Sequence, residues 1–398
     1  VAANLARKTI LMYTGLTVFG RALWRTFFRS RGTAVRWNRK RIVGMAFYLP
    51  FCVIVTGMHW IGFLLDEIFF PAYRQVDVKQ PWFIVGPPRS GTTFLHRILA
   101  RDKDRFTSFA LWEILFAPSI TERKVFYALA KVDALVGGPI ARWMRRFESG
   151  FFEDFNKKHT VSFLEPEEDF VLLTYVFANP VLMSPFPFED LLGNLWDFDA
   201  QMPRKQRDYV MRYYHRCVQR HLYVHGTDKI FLSKNPFFTS LLGGLKETFP
   251  DAKFVCNMRT PFEAVPSFLG LWDSLYDAVG NDREHPVARD FPIAYMRRIY
   301  AYAIRGLEPM PEDRSAFIEY TDLTTAPREV VTGLYHQFGQ EVTPRFDMQL
   351  HDADTAARNF VSHHEYTLED FGITAADCNA CLEEVPPRMK LQPVESNV

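Results

Sequence analysis

The chain has almost no net charge: 47 Lys and Arg stand against 46 Asp and Glu in 398 residues, a formal +1 at pH 7. That balance argues against a general polyanion binder such as a nucleic-acid protein, so each basic cluster has to be judged by its own surroundings. Cysteine is also scarce. Cys52, Cys217, Cys256, Cys378 and Cys381 are odd in number and scattered, unlike a secreted disulfide framework, and a reducing compartment is the simplest inference. Cys378 and Cys381 form a C-x-x-C that lacks the second pair a zinc site needs, and read as two incidental thiols. Internal repeats and low-complexity tracts are missing too. What is abundant is apolar: 48% hydrophobic against 23% charged residues describes a folded chain with a large core. An aromatic content of 15%, with 37 Phe, favours apolar pockets or a membrane-facing surface without choosing between them.

Three zones separate by composition. Residues 1–75 are apolar and basic, about 76–340 alternate strand-like and helix-like runs, and the tail to 398 is acidic and polar. Ile42 to Leu65 is apolar apart from Thr56 and His59, long enough to be read as a spanning helix. Pro50, Gly44, Gly57 and Gly62 weaken the expectation of a straight span. Thr9 to Phe28 is a second apolar stretch, carrying Arg21 and Arg25, and the basic loop Arg29–Arg41 with its tryptophan joins the two. Basic residues among anionic headgroups contribute roughly 1 kcal/mol each. A single span with this loop inside would export the following domain into an oxidising space. A monotopic or re-entrant membrane association, with the domain cytoplasmic, is therefore expected. The competing expectation is a helical hairpin packed on the domain or on a second copy in a homo-oligomer. A cleavable signal peptide is disfavoured, because a basic segment follows the apolar run.

The middle zone reads as α/β. Trp82–Gly86, Lys229–Ser233, Lys253–Met258 and Ser315–Tyr320 are expected strands. Helices are expected over Thr92–Arg101, Phe237–Phe249, Pro261–Trp272 and Pro327–Phe338. Strands alternating with helices imply a parallel sheet. The stretch from about 104 to 228 breaks this rhythm, looks helical, and is the candidate acceptor-binding insert of a domain spanning 76–398.

Gly86-Pro-Pro-Arg-Ser-Gly-Thr-Thr93 follows a strand and opens a helix. Inward-turned amides and a helix N-terminus suit such a loop to an anion. Its spacing is that of the nucleotide loop G-x-x-x-x-G-K-[ST], but Thr92 takes the lysine position and Arg89 supplies the cation. The loss of the lysine points to a donor shorter than a triphosphate. A second element, Phe254-Val-Cys-Asn-Met-Arg259 followed by Ser267, places an arginine at a strand end and a serine on the next helix, where both can converge on one anion.

The run Pro87 to His96 resembles the 5′-phosphosulfate loop of sulfotransferases that use 3′-phosphoadenosine 5′-phosphosulfate (PAPS), closest to the mostly bacterial branch that is similar to tyrosylprotein sulfotransferases. The resemblance runs from about Trp82 to Gly372. It implies a P-loop-like nucleotide-binding core with PAPS as donor and PAP as product. Pro88, Arg89, Ser90, Gly91, Thr92 and Thr93 then face the phosphosulfate, Arg259 and Ser267 grip the 3′-phosphate, and Tyr320 contacts the nucleotide. His364–Gly372 resembles the family's tail segment.

Sulfuryl transfer needs in-line attack by an acceptor oxygen or nitrogen, a base, and positive charge on the departing oxygen. It requires no metal in principle, and no familiar metal-ligand spacing is expected to serve one. Lys234 matches the lysine that cytosolic sulfotransferases place near the donor's bridging oxygen. The histidine those enzymes carry two positions later is replaced by Pro236. Glu113 is the expected base: it resembles the glutamate after the first helix in the tyrosylprotein branch, and flanking Trp112, Ile114 and Leu115 would raise its pKa. Glu168, in Glu165-Pro-Glu-Glu-Asp169, and His159 are the rivals, and His96 reads as structural. The Pro-Glu-Glu sequence equally suits a helix start. A hydrophobic, lipid-like alcohol or amine is the expected acceptor. The competing functions are a nucleotide kinase, which the missing lysine and missing acidic magnesium motif disfavour, and a membrane-associated nucleotide binder without catalysis.

Overall fold

A computed structural model describes residues 2–151, 162–358, 366–389 and 391. Strand β1 (Trp82–Val85) lies at the centre of a five-stranded, wholly parallel sheet. Its neighbours are β2 (Phe106–Thr107), β3 (Ile230–Lys234), β4 (Lys253–Met258) and β5 (Ser315–Glu319), in the order β2-β3-β1-β4-β5. All four side chains of β1 are buried, as befits a strand covered on both faces. Alternation divides them: Trp82 and Ile84 join one hydrophobic cluster, Phe83 and Val85 the other. The four expected strands are present within one residue at each end. The parallel α/β sheet, with its large helical insert and apolar helical N-terminus, is as expected.

Strand β2 lies within the stretch expected to be helical. It is two residues long, too short for periodicity to reveal, and pairs with Ile230 and Phe231 at the sheet edge. After it come α4 (Leu111–Phe116), α5 (Ile120–Leu135) and α6 (Pro139–Phe151), and later the helix Arg204–His225. The expected helix from Phe237 is a 3-10 segment, Pro236–Leu241, continuing as an α-helix over Leu242–Thr248. Asn235 caps that segment, its side chain accepting from the Phe237 amide at 3.0 Å. The helix from Pro261 runs on to Ala278, and Pro286–Leu307 is a further helix.

Helices α1 (Ala2–Phe28) and α2 (Arg39–Phe69) precede the sheet, while α3 (Thr92–Leu99) follows β1. Helix α2 stays continuous through Pro50 and its glycines. Among the described residues it alone is long and apolar enough to cross a membrane. Yet Phe19 and Ala22 of α1 and Met45 and Phe63 of α2 share the main core with Tyr175, Trp196 and Tyr295. Polar bonds tie α2 down as well. Buried Asp66 accepts from the amides of Ile120 and Thr121 at 2.9 and 2.8 Å, and from Arg220 Nε at 2.9 Å. It thus neutralises a buried guanidinium and places a carboxylate at the start of α5.

Replacing Asp66 leaves Arg220 with only Glu67, 3.2 Å away, as its acidic partner. Asp66→Ala is expected to cost about 3 kcal/mol, read as a lower urea midpoint at unchanged m-value. An unchanged midpoint contradicts a structural role for this pair.

Candidate functional site

The carboxyl ends of β1, β3, β4 and β5 open on one edge of the sheet, where parallel α/β folds bind ligands. The loop after β1 turns through positive φ at Gly86 (124°), Arg89 (66°) and Gly91 (83°). At two of these positions space demands glycine. A Cβ on Gly86 would lie 2.3 Å from the Asn257 carbonyl oxygen, and one on Gly91 would lie 2.8 Å from the Tyr320 ring. Ser90, buried, donates to the Pro87 carbonyl at 2.7 Å, and Pro88 is buried beside it. Thr92 and Thr93 begin α3, so its unpaired amides point back into the loop.

The second anion element meets the first. Arg89 Nε donates to Ser267 Oγ at 3.0 Å, and Arg259 donates to the Arg89 carbonyl at 3.1 Å. The Arg259 guanidinium lies 4.1 Å from the centre of the Tyr320 ring and pairs with Glu263 at 2.7 Å. Burial, and then the neighbouring Arg259 charge, lower the Arg89 pKa. Two converging guanidiniums repel each other unless an anion sits between them, so this edge fits a doubly anionic ligand. Asn257 Oδ1 is buried here with no hydrogen-bond partner among the described residues. Tyr366, from the tail segment, packs at Gly270, where a Cβ would lie 2.8 Å from its ring.

Lys234, fully buried at the end of β3, completes the site. Its Nζ donates to Thr93 Oγ1 at 3.1 Å and to Glu168 Oε1 at 2.6 Å. Glu168 is 23% exposed and, among the described residues, its one ion pair is with Lys234, which leaves part of the carboxylate open. Around it, burial raises the pKa of Glu167, with the Glu168 charge adding to that, and burial raises Asp169 to about 7. Asp169 accepts from Ser233 Oγ at 3.0 Å and from the Tyr214 hydroxyl, which fixes the backbone next to Glu168.

Glu113 does not lie in the apolar setting expected of it. It is 2% exposed and ion-paired with Arg123 Nε at 3.2 Å and His225 Nε2 at 2.6 Å, with His221 Nδ1 at 3.8 Å. Burial alone would raise its pKa, but Arg123, His221 and His225 outweigh burial and hold it well below the usual carboxylate range. Its Oε2 also accepts from the Ala110 amide at 3.0 Å, capping α4. The expectation of a raised pKa is corrected: the neighbours come from α5 and the helix Arg204–His225, far away in sequence. His221 and His225 stand four residues apart on one helix face, a metal-ligand spacing that the sequence reading passed over. With Glu113 their ligand atoms lie within 4.8 Å of one another, but the Arg123 guanidinium already occupies the carboxylate. His96 is buried against Ser108 Oγ at 3.1 Å, as a structural residue. His159 lies outside the described residues. Glu263, the partner of Arg259, also escaped the sequence reading, although its i,i+4 spacing was a usable signal.

A sequence model described as the Sulfotransferase family matches residues 81–344. The omega-hydroxy-beta-dihydromenaquinone-9 sulfotransferases Stf3 of Mycobacterium bovis (strain ATCC BAA-935 / AF2122/97) and Mycobacterium tuberculosis (strain CDC 1551 / Oshkosh) are each 29% identical over 276 residues. The match takes in 66% of this chain and 64% of each relative, so the chain spans just under two thirds of their length. Among solved structures, sulfotransferase STF9 from Mycobacterium avium has a TM-score of 0.68 at 18% identity, over 86% of this chain and 84% of that one. Sulfotransferase STF1 from Mycobacterium tuberculosis H37Rv has a TM-score of 0.59 at 18% identity, over 95% and 98%. These structural likenesses are of fold. Since the family match takes in well over half of its length, the chain belongs to the Sulfotransferase family.

Proposed function

We propose that this chain transfers a sulfuryl group from PAPS to a hydroxyl or amine of a hydrophobic, lipid-like acceptor. The observation that carries the reading is the meeting of Arg89, Ser267 and Arg259 beside the Lys234–Glu168 pair. An ordinary triphosphate fits poorly, because Thr92 stands where its lysine would be. The donor, when bound, supplies the sulfuryl group and leaves as PAP. Arg89 to Thr93 hold the phosphosulfate end through the loop amides, with Pro88 shaping the loop, Arg259 and Ser267 hold the 3′-phosphate, and Tyr320 backs the Arg259 guanidinium. Lys234 carries the positive charge that the departing oxygen requires, from a buried position where charge acts strongly.

Glu168, rather than Glu113, is the proposed base. Its carboxylate is half-open, next to Lys234, and has capacity left to accept the acceptor's proton as the new S–O bond forms. Glu113 is committed to the Arg123 guanidinium, to His225 and His221, and to a helix cap. The names of the Stf3 relatives describe an ω-hydroxylated dihydromenaquinone, which supports a lipid-like alcohol as acceptor here.

With labelled PAPS and a long-chain alcohol, Glu168→Gln is expected to lower kcat by about 10²-fold or more while PAP affinity, measured by calorimetry, holds. Turnover equal to wild type removes Glu168 from the chemistry. Glu113→Gln is expected to act on stability instead, with kcat close to wild type. A carboxylate whose folded pKa is depressed stabilises above its ordinary value of 4.5, and that contribution fades as pH falls below it. The melting difference between wild type and Glu113→Gln should therefore be largest near neutral pH and shrink in acid. A folded Glu113→Gln as inactive as Glu168→Gln would return the base to Glu113.

A further inference from the structure

Helices α2 and α5 have their polarity reversed. The residues α2 turns inward include Arg41, His59 and Asp66, while Phe47, Val53, Ile54 and Ile61 face outward, each at least 60% exposed. In α5, Arg123 and Asp133 are buried while Val125, Leu129, Val132 and Leu135 are outward. The two helices pack side by side, His59 Nδ1 meeting Glu122 Oε1 at 2.7 Å. So large an apolar surface marks a contact with something other than water.

Charge identifies the contact. Residues 15–69 and 120–135 contain four acids, Asp66, Glu67, Glu122 and Asp133, and all turn inward onto Arg220, His59 or helix amides. The exposed charges are basic: Arg29, Arg31, Arg39, Lys124 and Lys131 among them. Where α1 meets the following loop, a cavity of about 890 Å³ is lined by Arg21, Arg25, Arg29 and Arg31 with Trp24 and Trp37, and by one acid, Asp190, which pairs with Arg25 at 2.6 Å. Cations beside amphipathic rings match the headgroup level of an anionic bilayer.

Geometry sets the orientation. Helix α2 bonds the catalytic domain from Asn38, which donates to the Gly280 carbonyl at 2.8 Å, to Asp66 on Arg220. Those points are about 42 Å apart along the axis, longer than the roughly 30 Å of a bilayer's hydrocarbon. A crossing helix would put these two contacts, both made to one folded domain, on opposite sides of the bilayer, so α2 lies along the membrane plane.

The same face adjoins the site. Trp112 packs 5.7 Å from both Phe126 and Tyr127 of α5. The turn at Phe163 pairs with it, the Trp112 amide donating to the Phe163 carbonyl at 3.0 Å. Leu164 is 77% exposed on that turn, and Glu168 lies four residues on, within the roughly 13 Å that four residues can span.

We propose that α2 and α5 lie flat in an anionic bilayer with their apolar faces immersed, and that the acceptor passes from that bilayer along Trp112 and Leu164 to Glu168. The access path rests on the lipid-acceptor reading; the membrane face does not. The full chain is floated with phosphatidylcholine vesicles, with or without phosphatidylglycerol, beside the double variant Ile54→Glu, Leu129→Glu. Wild type is expected to float with the anionic vesicles, and the variant to lose about tenfold or more of the bound fraction. The variant should keep wild-type turnover of a short water-soluble alcohol and lose that of a long-chain alcohol held in vesicles. A variant that floats like wild type overturns the proposal, as does a wild type that stays unbound as a dimer by light scattering. A wild type that floats but sulfates no alcohol overturns the transfer reading and leaves the membrane face standing.

Discussion

The close approach of β1 and β4 is the constraint on which the site depends. Gly86 lies so near the Asn257 backbone that no side chain fits between them. That approach brings the β1 loop, with Arg89 in a left-handed conformation, against Arg259 just beyond the end of β4. Neither position is comfortable alone. A non-glycine residue with positive φ stores strain, and two half-buried like charges raise each other's electrostatic energy, which Glu263 offsets only on the Arg259 side. An anion shared between them relieves the second cost, and this is the physical reason for reading the edge as a donor site. Tyr320 serves the same end from β5, closing over Gly91 and stacking on the Arg259 guanidinium.

Most of this frame was legible in the chain. Each of the four anticipated strands is a short run with an apolar centre, and the loop between β1 and α3 carries its glycines at readable spacing. The site residues at strand ends, Lys234 and Arg259, follow from the strands themselves. Strand β2 was not legible, because two residues show no period and its pairing with Ile230 is long-range. The length of α2 invited a spanning reading. Its one-sided burial of Arg41, His59 and Asp66 depends on partners from Glu122 to Asn281, which no local window contains.

The two carboxylates illustrate the limit more sharply. In sequence, Glu113 sits among Trp112, Ile114 and Leu115 and looks desolvated; Glu168 sits among acids and looks like the start of a helix. Folding keeps Glu113 buried and Glu168 at the start of a 3-10 helix, Asp169–Val176, but brings to each the charges that decide its chemistry. Arg123, ten residues on, and His221 and His225, more than a hundred residues on, surround Glu113. The partner of Glu168 is Lys234, 66 residues away, on another strand. The pKa of a buried acid is decided by the charges that reach it, and those are tertiary facts.

The distinction carries to function through the number of counter-charges. A carboxylate held by a buried guanidinium, two histidines and an amide has little capacity to bind a proton, because protonation would strand the Arg123 charge. On the proposed reading, a carboxylate with one ammonium partner among the described residues and a partly open face accepts the proton while Lys234 turns its charge toward the departing oxygen. Thr93, 3.1 Å from the same ammonium, keeps Lys234 next to the loop. Glu168, Thr93 and the anion loop are thus linked through one lysine, held in place by the parallel pairing of β3 with β1.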